Sequence, residues 1–209
     1  DRLGTLVFKD VLSGKIVANK HIEREHADDY KHLIDELKDK GFIIQGAVVD
    51  GKRGVVKAFG DIPVQMCHFH QIAIVKRYLT SKPKLEASID LMKICRKLTF
   101  LTQDRFTDAL NIWYLKYKSF LDEKTLNIKT NRLTPTHARL MAAYRSLKTN
   151  LPYLFTYKNH KEFKIPNTTN HLDGGLFSQL KKLIKLHQGL AKKRKVKLID
   201  EFLSKYNQK

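Results

Sequence analysis

The chain has 209 residues, 42% of them hydrophobic, and a formal net charge of +19 at pH 7. This length and composition exclude a disordered chain and allow a folded domain with a sizeable core, or a domain that carries an insertion. Without a bilayer-spanning apolar run, a signal peptide or more than two cysteines, the sequence predicts a cytoplasmic protein with no membrane partner.

The first seventy residues have the pattern of an α/β protein. Extended, apolar and turn-forming stretches predict a hairpin, a helix, a strand, a short helix and a strand, over residues 4–18, 30–37, 42–49, 55–59 and 64–67. Asp28 and Asp29 are candidate caps at the start of the first helix. This order favours an α/β fold whose later strands are connected by crossovers.

Helical patterns dominate from about residue 71 to residue 160. Apolar residues recur at helical spacing over 72–79, 85–98, 106–120 and 137–147. The stretch 124–134 is predicted as a loop, and Pro152 and Pro166 as breaks before a basic, helix-rich C-terminus. We therefore predict an α/β beginning, a helical insertion and closing helices.

The positive charge is concentrated in the later part of the chain. Residues 1–62 hold eleven Lys or Arg and eleven Asp or Glu, whereas residues 63–209 hold twenty-nine and ten. Residues 181–197 hold eight Lys or Arg and no acid. A solubilising lysine-rich surface would explain a scattered excess equally well, but the segregation favours a polyanionic partner, DNA or RNA.

Asp50 ends an apolar strand and is followed by Gly51 and Gly54. In an open α/β sheet, functional groups gather at the carboxyl ends of strands, where a divalent cation could compensate this charge. Lys52 and Arg53 would then lie within reach of a phosphate. The alternative is a simple Asp-Gly turn, which is the favoured interpretation from this residue alone.

Residues 67–71, Cys-His-Phe-His-Gln, follow the next predicted strand. Cys67 and His70 have the spacing of half a zinc site, but Cys95 has no companion to complete it, so zinc is not predicted. His70 could instead bond a phosphate or a water near Asp50. A buried cysteine with two hydrogen-bonded histidines explains the stretch equally well.

Asn170 and Asp173 have the spacing of a helix capping box. Asp173 could therefore have only a capping role. Gly174 and Gly175 are costly in a first helical turn, which indicates that backbone or ligand approaches closely there.

Four segments together resemble the bacterial insertion-sequence transposases related to the plant Mutator elements. These segments, the last of which leads to an acid, are 49–51, 67–71, 143–152 and 166–170. The resemblance covers nearly the whole chain, and it is the combination of segments that is specific. It implies a DDE/D-type enzyme with a ribonuclease H-like core, a mixed sheet with flanking helices, and an all-helical insertion.

The resemblance also implies domain bounds and site residues. Residues 1–70 would begin the core, 71–160 would be the insertion, and 161–209 would hold the last core helices and a basic segment. Asp50 matches the second metal-binding acid, and Asp173 stands where the family usually has Glu. His70 belongs to the Cys-x-x-His motif that follows the second acid and is the third catalytic candidate.

The first acid is expected on a strand upstream of residue 4, before this chain begins. Asp1 and Asp10 do not fit, since Asp1 aligns beyond the motif and Asp10 lies in the predicted hairpin turn. We therefore expect these 209 residues alone to have weak or no activity, because two acids rarely hold two metals.

The implied chemistry is transposition by phosphoryl transfer with two Mg²⁺ ions, for which Mn²⁺ can substitute. Partners would be the element ends and the target DNA, with no small-molecule substrate, in the nucleoid of a bacterium. Such transposases commonly act as dimers on paired ends, which makes a homodimer one candidate state; the sequence leaves the oligomeric state open. The expected DNA contacts are Lys52, Arg53, Lys181, Lys182, Lys185, Lys192, Lys193, Arg194, Lys195 and Lys197. A non-catalytic DNA-binding remnant of a decayed element, or a structure-selective nuclease, are the alternatives.

Overall fold

A computed structural model describes residues 3–52 and 54–208. The chain forms two compact units: unit 1 consists of Asp1–Val64 together with Thr168–Lys209, and unit 2 is Gln65–Asn167. The boundaries thus follow Val64 and Asn167, whereas the sequence placed them after residues 70 and 160. The reason lies in the residues just after Val64, since Met66 packs in the core of unit 2.

Both units combine helices with short strands. Unit 1 begins with β1 (Gly4–Lys9), β2 (Ile16–Ile22), α1 (Ala27–Asp39), β3 (Ala47–Val49), a 3₁₀ helix (Val55–Phe59) and the first residue of β4 (Val64–Met66). Unit 2 continues with α2 (His68–Leu79), α3 (Glu86–Arg96), α4 (Gln103–Leu121), β5 (Lys124–Asn127), β6 (Arg132–Pro135), α5 (Ala138–Leu154), α6 (Thr156–Asn159) and a 3₁₀ turn (Lys161–Phe163). The chain closes in unit 1 with a π-helical segment (His171–Phe177), α7 (Ser178–Leu186) and α8 (Lys192–Tyr206).

The β1–β2 hairpin is the centre of unit 1. The two strands pair antiparallel, with Leu6 opposite Lys20 and Val7 opposite Asn19. Because successive strand residues point to opposite faces, Leu6 packs with Leu33 and Leu37 of α1, while Val7 packs in a separate cluster with the closing helices. That cluster also contains Leu176, Leu180, Ile199 and Leu203. The hairpin is therefore covered on both faces.

The predicted element order of the first seventy residues is confirmed, and the fold is a mixture of helices and strands. In the described part of the chain, the strands form three two-stranded pairs rather than one larger mixed sheet. β3 lies beside the stretch that ends in Val64, where the Ala47 N–H donates to the Pro63 carbonyl at 2.9 Å.

Unit 2 is built on α2, α3, α4 and α5, which share one apolar core. Fully buried members of this core include Val75, Leu91, Phe106, Leu110, Leu147 and Phe155. Trp113 belongs to the same core, and its indole N–H donates to the Ala87 carbonyl at 2.9 Å, which ties α4 to α3. This cluster confirms the helices that the apolar spacing predicted.

The prediction of a loop over 124–134 is wrong, and so is the all-helical insertion. β5 and β6 form an antiparallel hairpin in which Leu126 faces Leu133 and Asn127 faces Arg132. The Asn127 side chain accepts the N–H groups of Lys129 and Thr130, which stabilises the turn locally. The turn-forming residues of this polar stretch thus connect two strands of a hairpin, whereas the sequence was interpreted as a loop.

Pro152 does not break the chain as predicted, because α5 continues through it to Leu154. A proline inside a helix loses one backbone hydrogen bond. Leu154 and the following Phe155 are fully buried in the core of unit 2, and this packing holds the last turn in place.

Candidate functional site

Asp50 lies directly after β3, and its side chain is exposed. Its Oδ1 accepts the backbone N–H of Lys52 at 3.0 Å, so the carboxylate closes a tight turn. Gly51 and Gly54 have φ of 86° and 87°, a conformation that favours glycine. The turn interpretation therefore describes the local geometry, and a metal-binding role for the exposed carboxylate stays a prediction. Arg53, a predicted DNA contact, lies outside the described residues.

Lys52 is held by Glu25, which precedes α1. The Lys52 ammonium donates to the Glu25 carboxylate at 2.9 Å and to the Glu25 carbonyl at 2.7 Å. The Tyr30 hydroxyl donates to the same carboxylate. Burial raises the pKa of Tyr30, and the nearby negative charges of Glu25 and then Asp50 add to this. The turn that carries Asp50 is thus fastened to α1, and Lys52 would have to leave Glu25 to contact a phosphate.

Asp173 lies in the π-helical segment and is exposed. Its Oδ2 accepts the Thr169 hydroxyl at 2.6 Å. The predicted Asn170–Asp173 capping box is wrong, because Asn170 already has helical dihedrals of −54° and −34°, whereas a cap residue is extended. The Asn170 N–H instead donates to the Thr168 hydroxyl at 2.9 Å.

Gly174 and Gly175 do not have the close neighbours that the sequence predicted. A Cβ atom built at either position meets nothing within 4 Å. No described protein backbone therefore requires glycine at these positions. The alternative cause, a ligand that approaches closely, stays a prediction.

Asp50 and Asp173 belong to the same unit although unit 2 separates them in sequence. Both present exposed carboxylate oxygens, the ligand type that Mg²⁺ prefers. Within residues 3–52 and 54–208, no three or more His, Cys, Asp or Glu side chains are grouped so that they could hold a metal ion.

The Cys-His-Phe-His-Gln segment begins α2 with its first two side chains inside the protein. Cys67 and His68 are buried, and the His68 Nε2–H donates to the Leu154 carbonyl at 2.6 Å. Burial lowers the pKa of His68. His70 is half-buried, with its ring edge-on to the exposed Phe69 at 5.6 Å between centroids. Cys67 and His68 thus fit the alternative of a buried cysteine and a hydrogen-bonded histidine with a structural role. A catalytic role for His70 stays a prediction.

Gln71 connects two of the segments on which the resemblance depends. The side chain is fully buried; its Nε2 donates to the Ser146 hydroxyl at 3.2 Å, and its Oε1 accepts the Asn150 amide at 2.7 Å. Residues 67–71 and 143–152 therefore meet as one polar clamp, defined by Gln71, Ser146 and Asn150, between α2 and α5. Sequence reasoning missed this role, and polar residues with the helical spacing of 146 and 150 were the available signal.

Most of the cations predicted to contact DNA lie on the outer faces of α7 and α8. Leu180 of α7 and Ile199 of α8 face the core. The exposed cations among the predicted DNA contacts on the two helices are Lys181, Lys182, Lys185, Lys192, Lys193, Arg194 and Lys197. Lys195 is half-buried, and Lys192 is ion-paired with Glu23 at 2.6 Å. This surface is well placed to attract a polyanion.

Unit 2 carries even more of the charge. Residues 65–167 hold nineteen Lys or Arg against seven Asp or Glu, a net charge of +12. The DNA contacts predicted from the sequence include none of these cations. The inserted unit is therefore a second candidate surface for the same polyanion.

No protein family, curated protein or solved structure matches this chain. Among the described residues, no helix is both long and apolar enough for a membrane span. Function must therefore be inferred from the residues and their geometry.

Proposed function

We propose that the chain is the catalytic domain of a DDE/D-type DNA transposase with a ribonuclease H-like core, related to the Mutator-like insertion-sequence enzymes. The observation that carries the proposal is the placement of Asp50 and Asp173 in one compact unit, on either side of an inserted unit in sequence. The order of hairpin, helix, strand, short helix and strand before the insertion supports it. The four segments that resemble the Mutator-related transposases support the proposal as well.

In this proposal, Asp50 and Asp173 hold Mg²⁺ together with a third acid. Mg²⁺ ions would stabilise the charge that develops on the attacking and leaving oxygens of a DNA phosphate. The exposed cations of α7 and α8 would bind the DNA backbone without regard to sequence. His70 would orient a water or a phosphate oxygen. The protein would work on bacterial DNA, as a dimer on paired ends.

The structure offers a reason why Asp50 can keep a fixed position. Its carboxylate is oriented by the Lys52 backbone, and Lys52 is held by Glu25. A metal ligand must be positioned before the ion arrives, and such outer contacts supply that positioning. Loss of Glu25 should therefore weaken metal-dependent activity without removing a ligand.

The test is Mg²⁺-dependent joining of element ends to target DNA by the full-length protein. Asp50→Asn should abolish joining while thermal unfolding stays unchanged, because the amide oxygen can still accept the Lys52 N–H. Asp61→Asn is the matched control, since Asp61 is an exposed acid of the same unit. Strand transfer by Asp50→Asn at the wild-type level would refute the catalytic role.

The second candidate, a DNA-binding remnant, is favoured by the turn that Asp50 closes and the bond that Asp173 makes, because both acids already have structural partners. It predicts salt-sensitive DNA binding that neither Mg²⁺ nor Asp50→Asn alters. A Mn²⁺ titration that follows cleavage of an end-containing duplex separates the two functions. Cleavage without joining would indicate the nuclease alternative.

A further inference from the structure

The β5–β6 hairpin of unit 2 has an uncovered apolar face. Every residue from Asp122 to Thr136 is exposed. Leu126 and Leu133 pair across the strands and therefore share one face, where they are 52% and 65% exposed. Ile128, in the turn, is 93% exposed. Exposed apolar side chains that lie together, unlike those scattered singly, mark interaction sites.

The hairpin is anchored at its foot. His137 stacks on Phe120 with 3.6 Å between ring centroids, and its Nε2 lies 2.9 Å from the Glu123 carboxylate. The Thr136 N–H donates to the Glu123 carbonyl at 2.9 Å, and the Thr125 and Thr136 hydroxyls are hydrogen-bonded at 2.7 Å. Because an isolated two-stranded hairpin is barely stable in water, these contacts explain how the ribbon keeps a defined direction.

The charge of the hairpin indicates its partner. Residues 124–135 contain Lys124, Lys129 and Arg132 and no acid, within a unit of net charge +12. A second copy of this chain would be repelled by the same charge. The three apolar side chains are also too few for a membrane anchor, which needs a broad apolar face. A partner that fits this surface combines a high density of negative charge with apolar gaps that single side chains can enter.

Duplex DNA has both properties. Its phosphate backbones line a major and a minor groove, and β-ribbon proteins place their strands in either one. Single apolar side chains insert between its base steps and are flanked by cations in many architectural DNA-binding proteins. Ile128 has this arrangement, with Lys129 beside it and Arg132 across the turn.

We propose that the β5–β6 hairpin is a DNA-binding arm, in which Ile128 enters between base steps while Lys129 and Arg132 contact phosphates. The inference rests on the proposed function for its choice of DNA. It adds a contact that the sequence did not indicate, on an element of unit 2, whereas the predicted acids, α7 and α8 belong to unit 1.

Salt-dependent binding separates the two kinds of contact. The affinity of the full 209-residue chain for a DNA duplex is measured by fluorescence anisotropy between about 50 and 200 mM salt. Ile128→Ala should weaken binding about tenfold, because it removes methyl and methylene groups that become buried between the bases in the complex. It should leave the salt slope unchanged, because it removes no charge. Lys129→Ala with Arg132→Ala should reduce the slope by about 0.9 for each cation.

Two matched controls lie outside the hairpin. Ile112 of α4 is 67% exposed, and Lys31 of α1 is an exposed lysine that is not among the predicted DNA contacts. Ile112→Ala and Lys31→Ala should leave affinity and salt slope at the wild-type values. Far-ultraviolet circular dichroism of each variant should match the wild type, since the hairpin side chains contribute nothing to the core.

The outcomes are distinct. Wild-type DNA binding that Ile128→Ala leaves within twofold would overturn the inference and leave the proposed function intact. Absence of any wild-type DNA binding would overturn both. Loss of binding to anionic vesicles, or of self-association in sedimentation, with DNA binding unchanged, would replace DNA by lipid or by a second copy.

Discussion

The polar clamp of Gln71, Ser146 and Asn150 should make a measurable contribution to the stability of unit 2. Gln71 is fully buried, and its Oε1 accepts the Asn150 amide at 2.7 Å. Asn150→Ala leaves this oxygen without that donor, which costs about 1–3 kcal/mol when the group is buried. With a slope of about 1–3 kcal/mol per molar urea, the unfolding midpoint should fall by roughly 1 M.

Trp113 provides the assay. It is the single tryptophan of the chain and is 2% exposed in the core of unit 2, so its fluorescence follows the unfolding of that unit. Thr149→Ala, at an exposed neighbouring position, is the control and should change the free energy of unfolding by less than about 0.5 kcal/mol.

A double-mutant cycle refines the prediction. Gln71→Leu combined with Asn150→Leu should cost less than the sum of the two single changes, because neither partner is then left unsatisfied. Ser146 keeps its own hydrogen bond to the Ala143 carbonyl at 2.7 Å in all variants. Strictly additive costs, or an Asn150→Ala protein as stable as the wild type, would refute the clamp.

Two further predictions concern single residues. Burial lowers the pKa of His68 below its ordinary 6.5, so the unfolded chain binds more protons as the pH falls through that value. The free energy of unfolding should then decrease, by at most about 1.4 kcal/mol per pH unit, until the lower pKa of the folded state is reached. The urea midpoints of the wild type and of His68→Gln should therefore diverge from about pH 8 to pH 5. Parallel curves would show that His68 does not cause the loss of stability. Gly54→Ala should destabilise unit 1 by about 1 kcal/mol because of its φ of +87°, whereas Gly174→Ala, in a helical and open position, should stabilise it by about 0.5–1 kcal/mol. Thermal unfolding that shifts both variants in the same direction would contradict this.

The periodicity of apolar residues was enough to predict most of the helices. Residues at helical spacing over 106–120 became α4 (Gln103–Leu121), because its buried face is set by local sequence. The turn at Asp10 was also predictable, since its carboxylate accepts the Ser13 N–H at 2.8 Å. Local chemistry decides both features.

The features that were missed depend on partners distant in the chain. Pro152 remains helical because the following residues pack in a core that the local sequence does not reveal. The role of Gln71 requires Asn150, 79 residues away. At the candidate site, the sequence predicted that Asp50 is presented at a strand end. It did not predict that Lys52 is engaged by Glu25, because no spacing rule links a strand end to the residue before a preceding helix.

The segments that carry the resemblance have more than one physical role. Residues 67–71 and 143–152 contact each other, and Gln71 and His68 are used to fasten α2 to α5. A match in these segments therefore argues for the architecture of an inserted helical unit, since the same contacts would be needed whether or not the protein cuts DNA. The proposed chemistry would instead depend on Asp50 and Asp173, which belong to unit 1, whereas the clamp belongs to unit 2. Clamp variants should thus lower the stability of unit 2 and leave the metal dependence of any reaction unchanged. Asp50→Asn should leave the stability unchanged and abolish the metal-dependent reaction.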